Sequence, residues 1–152
     1  MNLVYRPVNN DDINELRFIA EADSRIPLEY DPSYKFDDSS IDTRLEFYKD
    51  KISNEDFFEV VTDSNTVVAF HIVKKTPYPP NFFVGNIISL WVRPNYRKQG
   101  LAAQLKSRAE IWAKKDGMIF MQTNVHKDNN RMLKMNEANG YEATYINLRK
   151  KI

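Results

Sequence analysis

The feature that most restricts what this chain can fold into is one abrupt change of hydrophobic period. Residues 82–92, "FFVGNIISLWV", form a near-continuous apolar run of strand length. Residues 101–115, "LAAQLKSRAEIWAKK", place Leu101, Leu105 and Trp112 on one side of a helix. Between them, "RPNYRKQG" supplies a proline that ends the strand, two adjacent cations and one unhindered glycine. A strand handing over at once to a long helix requires a sheet with helices packed on it, which excludes all-helical and all-strand folds.

The flanking sequence extends that pattern. "LVYR" reads as a short strand closed by Pro7, and Asn10 and Asp11 offer caps for a helix to about Asp23. "RIPLEYDPSYKFDDSS" is an irregular loop, after which Ser40 caps a second helix carrying Ile41, Leu45, Tyr48 and Ile52 at helical spacing. "FFEVVTD" and "TVVAFHIVKK" flank "DSN" as two strands around a turn, and "TPYPPN" is a stiff link to the strand at 82–92. Gly85 inside that strand implies a bulge or a close backbone approach. After the helix ending at Asp116-Gly117, "MIFMQTNV" is a strand and "NNRMLKMNEAN" a short helix stopped by Gly140. "YEATYINLRK" alternates as a final strand. The order is β-α-α-β-β-β-α-β-α-β, one α/β (α+β) domain over residues 1–152 with a mixed sheet.

Composition removes several functions. At 152 residues and 42% apolar, the chain can bury a proper core. It has no cysteine, so it carries no disulfide, zinc ribbon or thiol nucleophile of its own; with only His71 and His126 beside that, no metal site is expected. No apolar run approaches the roughly 20 residues of a membrane span, and no secretory leader is visible, so a cytoplasmic protein without a membrane partner is expected. The net charge of +1 hides an asymmetry: residues 21–43 hold seven acids against two cations, and residues 93–134 hold ten cations against three acids. Such a chain can take a cation at one region and an anion at the other.

The handover at residue 100 is an anion site in outline. The first amides of a helix lack partners and carry positive dipole character. Gly100 lets backbone approach a ligand, Ala102 keeps the next position small, and Arg97 and Lys98 can meet phosphate oxygens. The stretch is neither a P-loop nor a three-glycine dinucleotide fingerprint.

"LWVRPNYRKQGLAAQL" resembles the acetyl-CoA signature of the GNAT N-acetyltransferase superfamily, a strand ending in V-x-P and then R/Q-x-x-G-x-G/A opening a helix. Arg97, Gly100 and Ala102 match its defining positions, preceded by Val92, Pro94 and Tyr96. A second family segment is matched by Asn129, Met132, Gly140 and Tyr141. The resemblance implies a GNAT-like domain whose sheet splays between the fourth and fifth strands. It also implies acetyl-CoA as acyl donor and direct attack of a primary amine on the thioester. The main chain of Leu90, Trp91 and Val92 would then line the pantetheine arm. The amides of Lys98, Gln99, Gly100, Leu101 and Ala102 would hold the pyrophosphate, with Arg97, Asn129 and Met132 nearby.

Two positions depart from the family pattern: Asn136 stands where a tyrosine acid is frequent, and Asn86 where a glutamate is frequent. Neither can be a general acid or base. The catalytic residues are therefore left unassigned, with Asn136, Tyr141, Glu59 and His71 as candidates, while His126 is read as structural. Tyr30, Tyr34 and Phe36, interleaved with acids, suit a cationic small amine or a peptide amino group as acceptor. The alternative is a non-catalytic CoA-binding regulatory domain. No nucleic-acid partner is expected, and a homodimer is compatible with the reading.

Overall fold

Asp12, rather than Asn10 or Asp11, caps the first helix, because its carboxylate accepts from the amides of Asn14 and Glu15. In the computed structural model, which describes residues 1–51 and 56–152, that helix (α1) runs Ile13–Arg25. It follows strand β1 (Leu3–Pro7), and a 3-10 turn at Ile26–Glu29 continues from it. Helix α2 spans Ser39–Lys51, one residue earlier than its expected cap; Ile52 lies outside the described residues.

Strands β2 (Phe57–Asp63), β3 (Thr66–Tyr78) and β4 (Phe82–Val92) follow as an antiparallel meander, with β1 added antiparallel to β2. Half of the stiff "TPYPPN" link is strand: Thr76, Pro77 and Tyr78 belong to β3 and face β4 residues 84, 83 and 82. Helix α3 (Leu101–Lys115) carries the chain over the sheet to β5, and α4 (Asn130–Ala138) follows. The sheet order is β1-β2-β3-β4-β5, with β5 parallel to β4, so the sheet is mixed as expected.

Two strand expectations fail in extent. β5 is only Met121–Gln122, and residues 141–150 form no strand. A strand exists only against a neighbour, and among the described residues the final segment has none.

Both faces of the central strands are covered, which is why they read as continuous apolar runs. Leu16, Ile19 and Ala20 of α1 and Leu45 and Tyr48 of α2 pack on Phe58, Val60, Phe70 and Ile72. On the opposite face, Leu101 and Leu105 of α3 meet Val61, Val68, Ala69 and Val92, while Ala109 meets Phe57 and Val73. Each fully buried Leu, Ile or Phe contributes about 1.5–3 kcal/mol relative to exposure. This double cover fixes the end of β4 and the start of α3 relative to each other.

Candidate active site

At the end of β4, Pro94–Tyr96 make a single 3-10 turn and Arg97 is extended. Lys98 then takes φ +62° and Gly100 φ +83° before α3 begins. Two left-handed residues so close together turn successive amides toward one side, the geometry of an anion-binding nest. Among the described residues, the amides of Lys98, Gln99, Gly100, Leu101, Ala102 and Ala103 make no hydrogen bond; the next, Gln104, bonds the Gly100 carbonyl. No side chain caps the helix. A Cβ on Gly100 would come no nearer than 4.0 Å to Gln104, so the protein itself leaves the space above this turn open. Glycine is favoured there by its φ.

Beside the turn, the sheet opens. Among the described residues, β4 pairs with β5 only at Gly85↔Met121 and Asn86↔Gln122, and beyond Asn86 no strand pairs with the β5-side edge of β4. This is the splay expected between the fourth and fifth strands. Gly85 marks the point of closest contact: a Cβ there would stand 2.3 Å from the Met121 sulfur. The β-bulge lies further on, where Ile72 faces Ser89 and Val73 faces Ile87, leaving Ile88 as the extra residue. The main chain of Leu90, Trp91 and Val92 follows directly, with side chains anchored alternately. Trp91 stacks on Phe70 at 5.4 Å between centroids, while Leu90 and Val92 pack toward α3.

A cleft of about 620 Å³ adjoins the turn, lined by Glu29, Tyr30, Pro94, Arg97, Asp128, Asn129, Asn130 and Arg131. Arg97 does not reach into it freely. Its Nε donates to the Val92 carbonyl at 2.9 Å and its Nη2 to Glu29 at 2.5 Å. Arg131 donates to the other Glu29 oxygen at 2.7 Å. Glu29 therefore bridges two arginines at the cleft wall, a pairing that sequence spacing did not reveal. Asn129 caps α4 by accepting from the Met132 amide at 3.2 Å, and among the described residues its amide nitrogen donates to no partner. Open donors, two arginines and an exposed strand edge suit an extended anion carrying a diphosphate.

The acceptor candidates divide. Tyr30 lines this cleft and packs on His126 at 4.9 Å. Tyr34 donates its hydroxyl to the Ser24 carbonyl at 3.1 Å, and the Phe36 ring is covered by the Arg25 guanidinium at 4.1 Å. The structure thus does not bring Tyr34 and Phe36 together with Tyr30 as one free aromatic surface.

The catalytic candidates separate further. Glu59 is clasped by Arg108 through two bonds of 2.5 and 2.8 Å, beside a separate groove along α3. His71 is wholly buried; its Nδ1–H donates to the Ser89 carbonyl at 2.9 Å, and burial pushes its pKa down to about 4, so it is neutral at pH 7. Asn136 is buried with its Oδ1 unpartnered among the described residues. Tyr141 is half-buried, with the Lys106 ammonium 4.1 Å above its ring, and burial raises its pKa to about 12. Lys106 is itself buried, which lowers its pKa to about 8.

One polar cluster escaped the sequence reading. Asp23, 4% exposed, accepts from Arg44 at 2.5 Å, from the Tyr48 hydroxyl at 2.7 Å and from the Ser89 hydroxyl. Ser89 is the residue after the bulge, so this carboxylate ties α1 and α2 to β4 where the sheet opens. The signal was present: Asp23 continues the buried stripe Leu16, Ile19, Ala20 at helical spacing.

Among the described residues, no group of His, Cys, Asp or Glu gathers as a metal site, and no helix is long and apolar enough to cross a membrane. No curated protein matches the sequence significantly. Solved structures resemble the chain closely in fold. A predicted acetyltransferase from Clostridium acetobutylicum, solved with acetyl-CoA, superposes with a TM-score of 0.78 at 17% identity over 97% of this chain and 96% of its own. A possible acetyltransferase from Clostridium difficile 630 gives 0.77 at 21% identity, over 100% and 99%. AAC(6')-Iy, in complex with a bisubstrate analogue, CoA-S-monomethyl-acetylneamine, gives 0.69 at 18% identity over the whole of both chains. The family model described as the acetyltransferase (GNAT) family matches residues 17–141, which include the strand–turn–helix, the splayed strands and α4. With the family model spanning most of its length, this chain belongs to the GNAT acetyltransferase family.

Proposed function

We propose that this chain, acting as one domain over residues 1–152, transfers an acetyl group from acetyl-CoA to a primary amine. The observation that carries the reading is the run of unpartnered amides from Lys98 to Ala103 at a left-handed turn. Acetyl-CoA supplies an activated acetyl thioester; the amine nitrogen bonds the acetyl carbon, the carbon–sulfur bond breaks and the thiol of CoA leaves. Lys98 to Ala102 hold the diphosphate through their amides, and Gly100 keeps the approach clear. The open edge of β4 at Leu90, Trp91 and Val92 receives the pantetheine arm as an added strand. Asn129 lines the same cleft, and the amide of Met132 holds its side chain in place as the cap of α4.

A lysine-like amine, with a reference pKa of about 10.4, must lose a proton before it attacks. Glu59 and His71 are both engaged elsewhere, so water takes this proton. Tyr141 is the remaining candidate with a dissociable proton, and its raised pKa keeps the hydroxyl a donor at neutral pH. We assign it a hydrogen bond to the sulfur as the carbon–sulfur bond breaks; the thiolate, a weaker base than a tyrosinate of that pKa, takes its proton from water.

The acceptor reads as a cationic small amine or a peptide amino group. Asp31 and Asp37 lie along this region, and hydrogen bonds from Ser33 and from Ser39 hold their carboxyls below the usual range, so both stay ionised. The likeness to an enzyme solved with an acetylneamine conjugate is in keeping with this. The reading involves no nucleic acid and places the chemistry in the cytoplasm. Release of free CoA thiol, followed with a panel of cationic, neutral and acidic amines, tests it. Turnover preferring cationic amines is expected, with Tyr141→Phe lowering kcat but not the KM for acetyl-CoA. Tight CoA binding with no amine-dependent thiol release would instead favour a non-catalytic CoA-binding domain.

A further inference from the structure

Lys106 is a buried charge that no neighbour neutralises. It lies on the buried side of α3 and is 3% exposed. Among the described residues its ammonium pairs with no carboxylate and donates to no acceptor; what it meets is the Tyr141 ring, 4.1 Å away. A cation taken out of water without a partner destabilises a fold, and a methionine of similar length would not. Burial lowers its pKa to about 8, so the group is still mostly charged at pH 7.

The packing of α3 puts this charge under the opening of the sheet. Ala109, about one turn further along the helix, sits with Val73, Ile87 and Met121, where β4 and β5 still pair. Ala102, one turn earlier, belongs with Leu90 and Val92 beside the free amides. Lys106 lies between them, level with residues 88–90 of β4 and past the last paired rung. Two buried acceptors without partners among the described residues flank the same gap. One is Nε2 of His71, which faces Leu90 across β3 and β4 and feels the Lys106 charge. The other is Oδ1 of Asn136, whose carbonyl accepts from the Tyr141 amide. Other charges are few here. β4 and β5 contain no ionisable residue, Asn136 is the one buried residue of α4, and His71 is neutral at pH 7. Glu110, on the same helix, raises the Lys106 pKa by less than burial lowers it.

We propose that the Lys106 ammonium is the counter-charge for the thiolate of CoA, stabilising it as it leaves; this rests on the transfer reaction proposed above. A pantetheine arm running back from the turn along Leu90, Trp91 and Val92 carries its sulfur toward the level of Lys106. As the amine nitrogen bonds the acetyl carbon, the electron pair of the carbon–sulfur bond ends on that sulfur. A fixed cation in a site with little water stabilises the new charge far more than it would in bulk solvent. Lys106 gives up no proton: the thiolate takes one from water, and until then it holds the lysine in its charged form. Tyr141 and Lys106 thus act on one atom, the first by a hydrogen bond and the second by charge.

Ultraviolet titration of the thiol of bound CoA tests this without any acceptor amine, with the complex of S-methyl-CoA, which has no thiol, as the blank. In the parent the bound thiol should titrate at a pH roughly 1–2 below that of free CoA, and Lys106→Met should abolish the difference. Lys106→Arg, whose charge is not lost in this range, should keep it. In amine-dependent thiol release, Lys106→Met should lower kcat about tenfold, less than the loss of a donor touching the reacting atoms, with little change in the KM for acetyl-CoA. Its urea midpoint should hold or rise, since an unpartnered charge leaves the interior. A lysine with only a structural duty would give the reverse, a lower midpoint and an unaltered thiol. A parent whose bound thiol titrates like free CoA overturns the proposal, as does a difference that persists in Lys106→Met. A parent that fails to bind CoA overturns it together with the transfer reading. A Lys106-dependent shift in a parent that releases no thiol with any amine overturns the transfer reading alone, with the charge still shown to act on the sulfur.

Discussion

Gly100 and Glu29 make opposite contributions to the same cleft. At Gly100, φ of +83° and the open space above it mean that a larger residue harms the approach of a ligand and strains the turn. Gly100→Val is expected to weaken CoA binding by about 1–3 kcal/mol, the scale of a lost polar contact, as read by calorimetry on a variant whose circular dichroism is unchanged. Glu29 is an anion where an anion is to bind, and it occupies both Arg97 and Arg131. Glu29→Gln frees the two guanidinium groups. With these pairs partly exposed, it should tighten CoA binding by only about 0.5–1 kcal/mol. The turn at Gly100 was legible in the sequence because a proline, two cations and a lone glycine separate an apolar strand from a helical period. Glu29 was not, because its partners stand 68 and 102 residues further along the chain.

Among elements, the junction of α1, α2 and β4 depends on Asp23. Removing its carboxylate leaves the Arg44 charge and the Tyr48 and Ser89 hydroxyls without their acceptor. Asp23→Ala should cost about 3 kcal/mol, the low end for a broken buried pair because Arg44 is part-exposed; urea denaturation at neutral pH measures it. The helices and central strands were legible because both faces of the sheet are buried and the apolar periods are strong. β5 and the C-terminal segment were overcalled for one reason. Alternation states that a segment can be a strand but not what it pairs with, and β4 releases β5 after Asn86. Among the catalytic candidates, Glu59 illustrates the same limit: its charge is visible in the sequence, but its clasp by Arg108 on α3 is not.

For the whole molecule, the charge asymmetry of the sequence becomes a contact. The acidic segment at 21–43 and the basic one at 93–134 meet at the cleft through Glu29, Arg97 and Arg131. Global stability should also carry the mark of His71. Its pKa is about 4 in the fold and 6.5 in an open chain. Between those values the unfolded chain binds more protons, so this contribution is complete above pH 6.5 and is lost as pH falls toward 4. The loss amounts to about 3 kcal/mol. Urea midpoints at pH 7 and pH 4.5 should therefore differ by more in the parent than in His71→Asn. Equal differences would mean that His71 is not buried as described.

The central claim is that the free amides opening α3 hold the diphosphate of CoA, and amide NMR of the isotope-labelled chain tests it most directly. Addition of CoA should shift the amide resonances of Lys98 to Ala103, while pantetheine, which lacks the phosphates, should leave them largely in place. If CoA binds and those six amides stay where they were, the diphosphate rests elsewhere and this account of the site is wrong.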